Sequence, residues 1–191
     1  MKIIDIKRCL ALCLLALYVG SGIDAQAQDK PLLKHATIYL VRHAEKDTGD
    51  NPRLNAAGRL RAGYLVAALD GHSPNKVFVT QYRRTQETAD SIRFKMKVDT
   101  VHYPADASGE GLIKSLHKHH IKNEKILIIG HSNTIPILLG RLGISKPITI
   151  GEKEYNIMYL IKYVKGEPIL FKKKFGDPLM QTDNSSWEEV L

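Results

Sequence analysis

An arginine and a histidine stand together directly after an apolar run of residues. Arg42 and His43 follow Thr37–Val41, a pattern typical of a buried strand. Open α/β sheets hold their ligands at the carboxyl ends of their strands. A neutral imidazole can attack an electrophile that carries negative charge when a guanidinium neutralises and orients that electrophile. The pair therefore predicts nucleophilic chemistry on an anionic group, most obviously a phosphoryl group.

Two further strand-like runs are followed by side chains of the same kind. Val77–Thr80 precedes Arg84 by a few residues, and Lys125–Ile129 is followed by Gly130 and His131. The carboxyl ends of parallel strands meet at one edge of a sheet, so these side chains would lie near Arg42 and His43. Each residue alone is a weak signal. Their convergence at one edge predicts a site for a phosphoryl group.

The elements that must position these residues follow from the alternation of apolar runs and helical patterns. This alternation predicts an α/β domain with a mostly parallel sheet covered on both faces. The helical patterns begin at an N-cap at Asn55, after Arg84, at Leu112 and near Pro136. The predicted strands are Thr37–Val41, Val77–Thr80, Val98–Tyr103, Lys125–Ile129, and a hairpin of Tyr155–Val164 with Pro168–Phe175 that turns at Lys165 and Gly166.

Four motifs in this order resemble the histidine phosphatase superfamily, the phosphoglycerate mutase-like family, in its smaller branch 1 type. They are Val-Arg-His-Ala-Glu-Lys at 41–46, Leu-Asn-Ala-Ala-Gly-Arg at 54–59, Thr-Gln-Tyr-Arg-Arg-Thr-Gln-Glu-Thr-Ala at 80–89, and Gly-His-Ser-Asn-Thr at 130–134. The combination is specific, although the Arg-His pair by itself is not. The resemblance covers residues 37 to about 140 and implies a three-layer α/β/α fold, phosphoglycerate mutase-like, with a mostly parallel central sheet.

The resemblance also implies a role for each residue. His43 would be the nucleophile that takes the phosphoryl group as a phosphohistidine, and Arg42 and Arg84 would bind the phosphoryl oxygens. His131 would donate a hydrogen bond to the same group. The family pattern selects Arg84 rather than its neighbour Arg83. This chemistry needs an in-line nucleophile, positive charge and a proton for the leaving group, so neither a cofactor nor a metal is implied.

The general acid is less clearly marked. Members of this branch usually supply a glutamate downstream of the second arginine, and the corresponding stretch here holds Asp106 and Glu110. Glu110, at the start of the predicted third helix, is the first choice and Asp106 the second. Both could instead be ordinary carboxylates of a loop and a helix start. Some small relatives have no dedicated acid, so the absence of one would not remove the activity.

The first 27 residues have the pattern of a secretory signal peptide. A basic head of Lys2, Lys7 and Arg8 precedes an apolar stretch, and Ala25-Gln26-Ala27 offers the small residues that a signal peptidase reads. A membrane anchor is the alternative, but the uncharged window is short for a span. We therefore predict a periplasmic or secreted protein in which residues 28–191 form a single domain. Both cysteines would be removed, which excludes a catalytic thiol or a disulfide.

The net charge and the predicted export limit the kinds of partner that we expect. The whole chain carries a formal net charge of +8, which favours anionic partners through long-range attraction. No basic stripe with interleaved aromatic residues is present, so nucleic acid is not predicted. The expected substrate is a small phosphorylated molecule or a phosphorylated envelope glycan, and no membrane span is expected after signal cleavage. The first hypothesis is an exported phosphomonoesterase. The alternative is a non-catalytic protein of the same fold that binds phospho-sugars or anionic glycans.

Overall fold

A computed structural model describes residues 33, 35–119, 123–177 and 186–190 of the chain. The predicted signal peptide, residues 1–27, lies outside the described residues. Within the described part, no helix combines the length and the apolar character needed to cross a membrane.

One sheet of seven strands runs through the domain in the order β3-β2-β4-β1-β5-β6-β7. The strands are β1 (Thr37–Arg42), β2 (Lys76–Thr80), β3 (Thr100–Tyr103), β4 (Lys125–Gly130), β5 (Ile157–Val164), β6 (Glu167–Lys174) and β7 (Glu188–Glu189). Strands β1 to β4 are mutually parallel, and β5, β6 and β7 continue the sheet in antiparallel pairs. The α/β class is confirmed, and each predicted strand is present. The predicted hairpin is formed by β5 and β6, although β5 begins at Ile157 rather than at Tyr155.

In the part of the chain for which the structure gives element bounds, four helices cover the sheet: α1 (Ala56–Ala68), α2 (Arg83–Met96), α3 (Glu110–Lys118) and α4 (Ile135–Arg141). Successive strand residues point to opposite faces, so β1 sends Tyr39 and Val41 into a core with α1 and α2. Its other face sends Ile38 and Leu40 into a core with α3 and α4. The result is the predicted three-layer α/β/α arrangement.

The ends of several helices and strands follow from local hydrogen bonds and backbone conformation. The Oδ1 atom of Asn55 accepts the Gly58 N–H at 2.9 Å, so the predicted N-cap of α1 is confirmed. The predicted strand Val98–Tyr103 begins later, at Thr100, because Lys97 ends α2 in the left-handed region with φ 52°. The hairpin turns at Lys165 and Gly166, with φ of 53° and 87°. Two positive φ values match the right-handed twist of the flanking strands.

Gly58 lets α1 pack against the chain segment that follows the first strand. A Cβ atom at this position would overlap the backbone carbonyl of Glu45. We therefore expect Gly58→Ala to destabilise the protein by about 3 kcal/mol, because a backbone neighbour cannot move aside. Chemical denaturation measures this. Gly63→Ala, in the same helix with open space around it, should instead be neutral or stabilise by up to about 1 kcal/mol. Equal effects of the two changes would contradict this account of Gly58.

Candidate functional site

The register of the two central strands brings the two candidate histidines together. Arg42 of β1 pairs with Gly130 of β4, so His43 and His131 each follow one member of the same pair. The His43 N–H donates to the Gly130 carbonyl at 2.9 Å. The ring centroids of the two histidines are 5.3 Å apart, and their residues are only 3% and 5% exposed.

A chain of backbone and hydroxyl contacts joins the first histidine to the second arginine. The Ala44 N–H donates to Oγ1 of Thr88 at 3.0 Å, and that hydroxyl donates to the Arg84 carbonyl at 2.6 Å. Both arginine charges act on His43 and His131, since they contribute to lowering the pKa of each imidazole. The structure therefore brings together the four residues Arg42, His43, Arg84 and His131, which we call the Arg-His cluster.

The hydrogen bonding of His43 decides which of its ring nitrogens can react. Nδ1 lies 2.8 Å from the carbonyl oxygen of Ala44. A carbonyl only accepts, so Nδ1 carries the proton and Nε2 carries the lone pair. Burial lowers the pKa of His43 to about 3, and the charges of His131 and the two arginines act in the same direction. The imidazole is therefore neutral at ordinary pH, with Nε2 ready to act as a nucleophile.

Arg42 is held in place by a segment that is distant in the sequence. Its Nη1 donates to the carbonyls of Gly151 and Glu152 at 3.0 and 2.6 Å. Its Cζ lies 4.1 Å from the centroid of the Tyr155 ring, a cation–π geometry. These contacts fix the plane of the guanidinium beside His43, whose ring centroid is 6.0 Å from that of Tyr155.

Arg84 is placed by the start of α2. Its Cζ lies 4.3 Å over the ring of Tyr82, and the same ring meets His131 edge-on at 5.3 Å. The Nε atoms of Arg42 and Arg84 are both buried, and neither has a hydrogen-bond partner within the residues that the structure describes. Among the described residues, neither arginine has a carboxylate within ion-pair distance. Two partly buried cations with unused donors beside neutral imidazoles are chemically suited to hold an anion.

The two carboxylates proposed as general acid are engaged elsewhere. Oδ1 of Asp106 accepts from the backbone N–H and hydroxyl of Ser108 and the N–H of Glu110, and Oδ2 accepts the Gly111 N–H at 2.8 Å. These bonds, led by that from the Ser108 side chain, lower the pKa of Asp106 to about 2. Asp106 therefore caps the start of α3 as an anion.

Glu110 lies in the first turn of α3 and is exposed. Its carboxylate pairs with Lys114 at 2.7 Å, and this lysine lowers its pKa. The contacts described for Glu110 and Asp106 do not include any residue of the Arg-His cluster. The assignment of a carboxylate acid remains a prediction.

Several residues of the site were missed by the sequence reasoning. Thr80, Thr85 and Thr88 are buried beside the cluster, although all three lie in the motif at 80–89. The available signal was the motif itself, because its threonines flank an arginine near a helix start, where hydroxyl side chains commonly bond to the backbone. Tyr155 and the segment Gly151–Glu154 carried no such signal, because a sequence does not show which distant carbonyls an arginine will meet.

Comparison with solved structures defines the fold. An alpha-ribazole phosphatase from Shigella flexneri has a TM-score of 0.57 at 17% identity, over 78% of this chain and 100% of that one. A phosphoserine phosphatase from Entamoeba histolytica, solved with 3-phosphoglyceric acid, has a TM-score of 0.54 at 16% identity, over 79% and 100%. The protein histidine phosphatase SixA, complexed with tungstate, has a TM-score of 0.54 at 13% identity, over 72% and 96%. The chain has a phosphoglycerate mutase-like α/β fold.

The sequence also matches the model of a protein family. The model of the histidine phosphatase superfamily, branch 1, matches residues 38–105. This match, together with the fold, confirms the resemblance to that superfamily that the motifs indicated. The matched stretch contains Arg42, His43 and Arg84, whereas His131 and the segment that holds Arg42 lie beyond it. A search of curated proteins found no match.

Proposed function

We propose that this protein is a phosphomonoesterase that transfers the phosphoryl group of its substrate to Nε2 of His43 and then to water. The observation that supports the proposal most directly is the Arg-His cluster itself. It combines an imidazole lone pair fixed by the Ala44 carbonyl with two arginines whose Nε atoms are buried and unpartnered. A phosphoryl dianion would supply the missing partners of both guanidiniums.

The reaction divides into two displacements. In the first, the Nε2 lone pair of His43 forms a bond to phosphorus while the bond from phosphorus to the ester oxygen breaks, and the departing alkoxide takes a proton from a general acid, for which Glu110 is the candidate, or from solvent. In the second, a water oxygen attacks the same phosphorus and gives up one proton to that carboxylate or to solvent, the phosphorus–nitrogen bond breaks, and phosphate leaves. Arg42 and Arg84 stabilise the charge on the phosphoryl oxygens in both steps.

The expected substrate is a small phosphorylated molecule or a phosphorylated glycan of the bacterial envelope. Two of the structures with this fold are phosphatases named for small substrates, alpha-ribazole and phosphoserine. Their names support a small phosphorylated molecule as the substrate. The net charge of +8 favours either anion over a neutral ligand.

Hydrolysis of an aryl phosphate by the purified protein, with and without a chelator, tests this proposal. We expect turnover that resists the chelator, since the histidine and the two arginines supply the nucleophile and the charge. If no hydrolysis occurs from acid to neutral pH although the protein binds an inert tetrahedral anion, the chain is instead a phosphate-binding protein without catalysis.

The leaving-group dependence tests the role of Glu110. If its carboxyl protonates the leaving oxygen, Glu110→Gln should slow alkyl phosphates by about 10²-fold and aryl phosphates much less, because an aryl oxide needs little protonation. Steady-state kinetics on matched alkyl and aryl esters measures the ratio. Lys114→Gln removes the ion-pair partner and leaves the carboxylate, so it is the control. Equal losses of both esters in Glu110→Gln would exclude Glu110 as the acid.

We also propose that the protein acts after export, in the periplasm or outside the cell. The support is the basic head, the apolar stretch and the Ala25-Gln26-Ala27 sequence. Expression of the full chain in a bacterial host should yield a protein that begins at Gln28, as read by mass spectrometry of the intact protein. An Ala27→Asp change should block that processing, because the peptidase requires a small residue there. A product that retains Met1 and the cysteines would contradict export by this route.

A further inference from the structure

His131 lies at one end of a chain of hydrogen-bonding groups that runs through two threonines. Its Nε2 lies 3.1 Å from Oγ1 of Thr80, which lies 2.9 Å from Oγ1 of Thr85. The Thr85 hydroxyl in turn lies 2.8 Å from the carbonyl oxygen of Tyr82. The other ring nitrogen of His131, Nδ1, is buried and has no hydrogen-bond partner in the described part of the chain.

The direction of each proton follows from the end of the chain. The Tyr82 carbonyl only accepts, so the Thr85 hydroxyl donates to it. Oγ1 of Thr85 can then accept the proton of the Thr80 hydroxyl, and Oγ1 of Thr80 can accept the proton on Nε2 of His131. In this arrangement all three contacts are hydrogen bonds. If either threonine hydroxyl were reversed, one of the three hydrogen bonds would be lost. The proton of His131 would then lie on Nδ1 as a buried N–H without a partner, which costs free energy.

The two histidines of the site therefore hold opposite tautomers. His43 keeps its proton on Nδ1 and presents Nε2, whereas His131 keeps its proton on Nε2 and has a lone pair at Nδ1. The His43 lone pair is needed for attack. The lone pair of His131 would repel the oxygens of a phosphoryl dianion, because both are acceptors.

We propose that Thr80 and Thr85 fix the tautomer of His131, so that binding of a phosphoryl anion requires the uptake of one proton at Nδ1 of His131. The inference rests on the proposed function, since it assigns the anion to the Arg-His cluster. The balance is simple: the free protein has a neutral His131, one solvent proton joins its Nδ1, and the bound anion accepts a hydrogen bond from the new N–H. Thr80 and Thr85 are positioning residues that act through His131.

The surroundings of His131 explain why the proton arrives only with the anion. His43 and Tyr82 face its ring, and the charged groups nearby are Arg42 and Arg84. Desolvation and then the two arginine charges lower the pKa of His131 to about 4. A dianion in the cluster offsets both arginine charges and thereby raises the pKa of His131. Between the free and bound pKa values, each added pH unit should weaken anion binding about tenfold.

Sulfate is the probe, because its charge does not change over the working pH range. Isothermal titration of the full protein at pH 5.5 in two buffers of different ionisation enthalpy should show uptake of about one proton per sulfate. Sulfate affinity should fall as the pH rises. The same uptake should persist in His43→Ala, which identifies His131 rather than His43 as the acceptor. Sulfate binding without proton uptake, or uptake lost in His43→Ala, would overturn the proposal.

Matched variants of Thr85 test whether the threonine hydroxyls fix the tautomer of His131. In Thr85→Val the Thr80 hydroxyl can turn and donate to Nε2, so a neutral His131 can carry its proton on Nδ1. Proton uptake should then fall below half of the native value, and sulfate affinity should depend less on pH. Thr85→Ser keeps the hydroxyl and should behave like the native protein. The same loss in Thr85→Ser and Thr85→Val would show that the hydroxyl does not set the tautomer.

The tautomer of His131 can also be measured in the native protein, so this test does not depend on whether the variants fold. Imidazole ¹⁵N shifts in the free protein should show His131 protonated on Nε2 alone, and both of its nitrogens protonated when sulfate is bound. The Nδ1–H tautomer in the free protein would overturn the proposal even if the enzyme is active. Failure of sulfate to bind would instead remove the anion site, and with it both the proposed function and the proton linkage.

Discussion

Replacement of His43 by alanine is expected to lower turnover of an aryl phosphate by at least about 10³-fold, because the change removes the lone pair that attacks phosphorus in the proposed reaction. The imidazole is held with Nδ1 against the Ala44 carbonyl, so Nε2 is the atom that forms the covalent bond. Rapid alkaline quench of the native protein with labelled substrate should trap a phosphoprotein. Its label should be stable in alkali and lost in acid, as a phosphoramidate requires, and it should be missing from the variant.

A matched histidine controls for the loss of an imidazole. His72 is exposed and lies just before β2, at the amino ends of the parallel strands and so at the edge opposite the site. His72→Ala should retain native turnover. Thermal unfolding of His43→Ala must also show a folded protein, since this side chain is buried. A folded His43→Ala protein that keeps native turnover would exclude the covalent route.

Replacement of Arg84 by alanine is expected to lower kcat/KM by about 10²- to 10³-fold, the usual cost of one donor that stabilises transition-state charge. Its Nε has no hydrogen-bond partner among the described residues, so the change is expected to remove a contact to the phosphoryl group rather than an internal hydrogen bond. The stability should change little, because the contact described for the guanidinium is with the face of the Tyr82 ring. Steady-state kinetics and chemical denaturation of the same preparation separate the two effects.

The adjacent arginine provides the control for Arg84. Arg83 is exposed and lies 3.9 Å from the Glu87 carboxylate, and its backbone N–H donates to the Asn51 side chain. Arg83→Ala should therefore change kcat/KM by less than about threefold, as is usual for a surface charge. A loss of activity in Arg83→Ala that equals the loss in Arg84→Ala would mean that general positive charge at the rim, rather than one placed guanidinium, drives catalysis.

The strands and the cluster were the part of this molecule that the sequence could predict. Apolar runs such as Ile126–Ile129 are buried on both faces, so their hydrophobicity marks the parallel strands directly. Once those strands are known, Arg42, His43 and His131 must share an edge. The family pattern then separated Arg84 from Arg83, which no periodicity could do.

The acid and the supporting contacts could not be predicted in the same way. Asp106 and Glu110 have the residue type and the position that an acid needs. Whether each carboxylate is free depends on the Ser108 hydroxyl and the Lys114 ammonium, whose local geometry decides the bonding. The protons of the Thr80–Thr85 chain depend on a carbonyl at Tyr82. Such contacts depend on side-chain rotamers and on the geometry of turns. Neither produces a repeating pattern in the sequence.

The dependence of Arg42 on carbonyls more than a hundred residues away has a consequence for how the site comes into existence. The superfamily match ends at residue 105, yet the guanidinium acquires its fixed plane only when residues 151–155 have folded against it. A chain that stops after α4 would possess every residue of the Arg-His cluster and still lack a preorganised anion site. Anion affinity is therefore a reporter of complete folding, and bound phosphate should in turn cooperatively stabilise the carboxyl-terminal part of the domain.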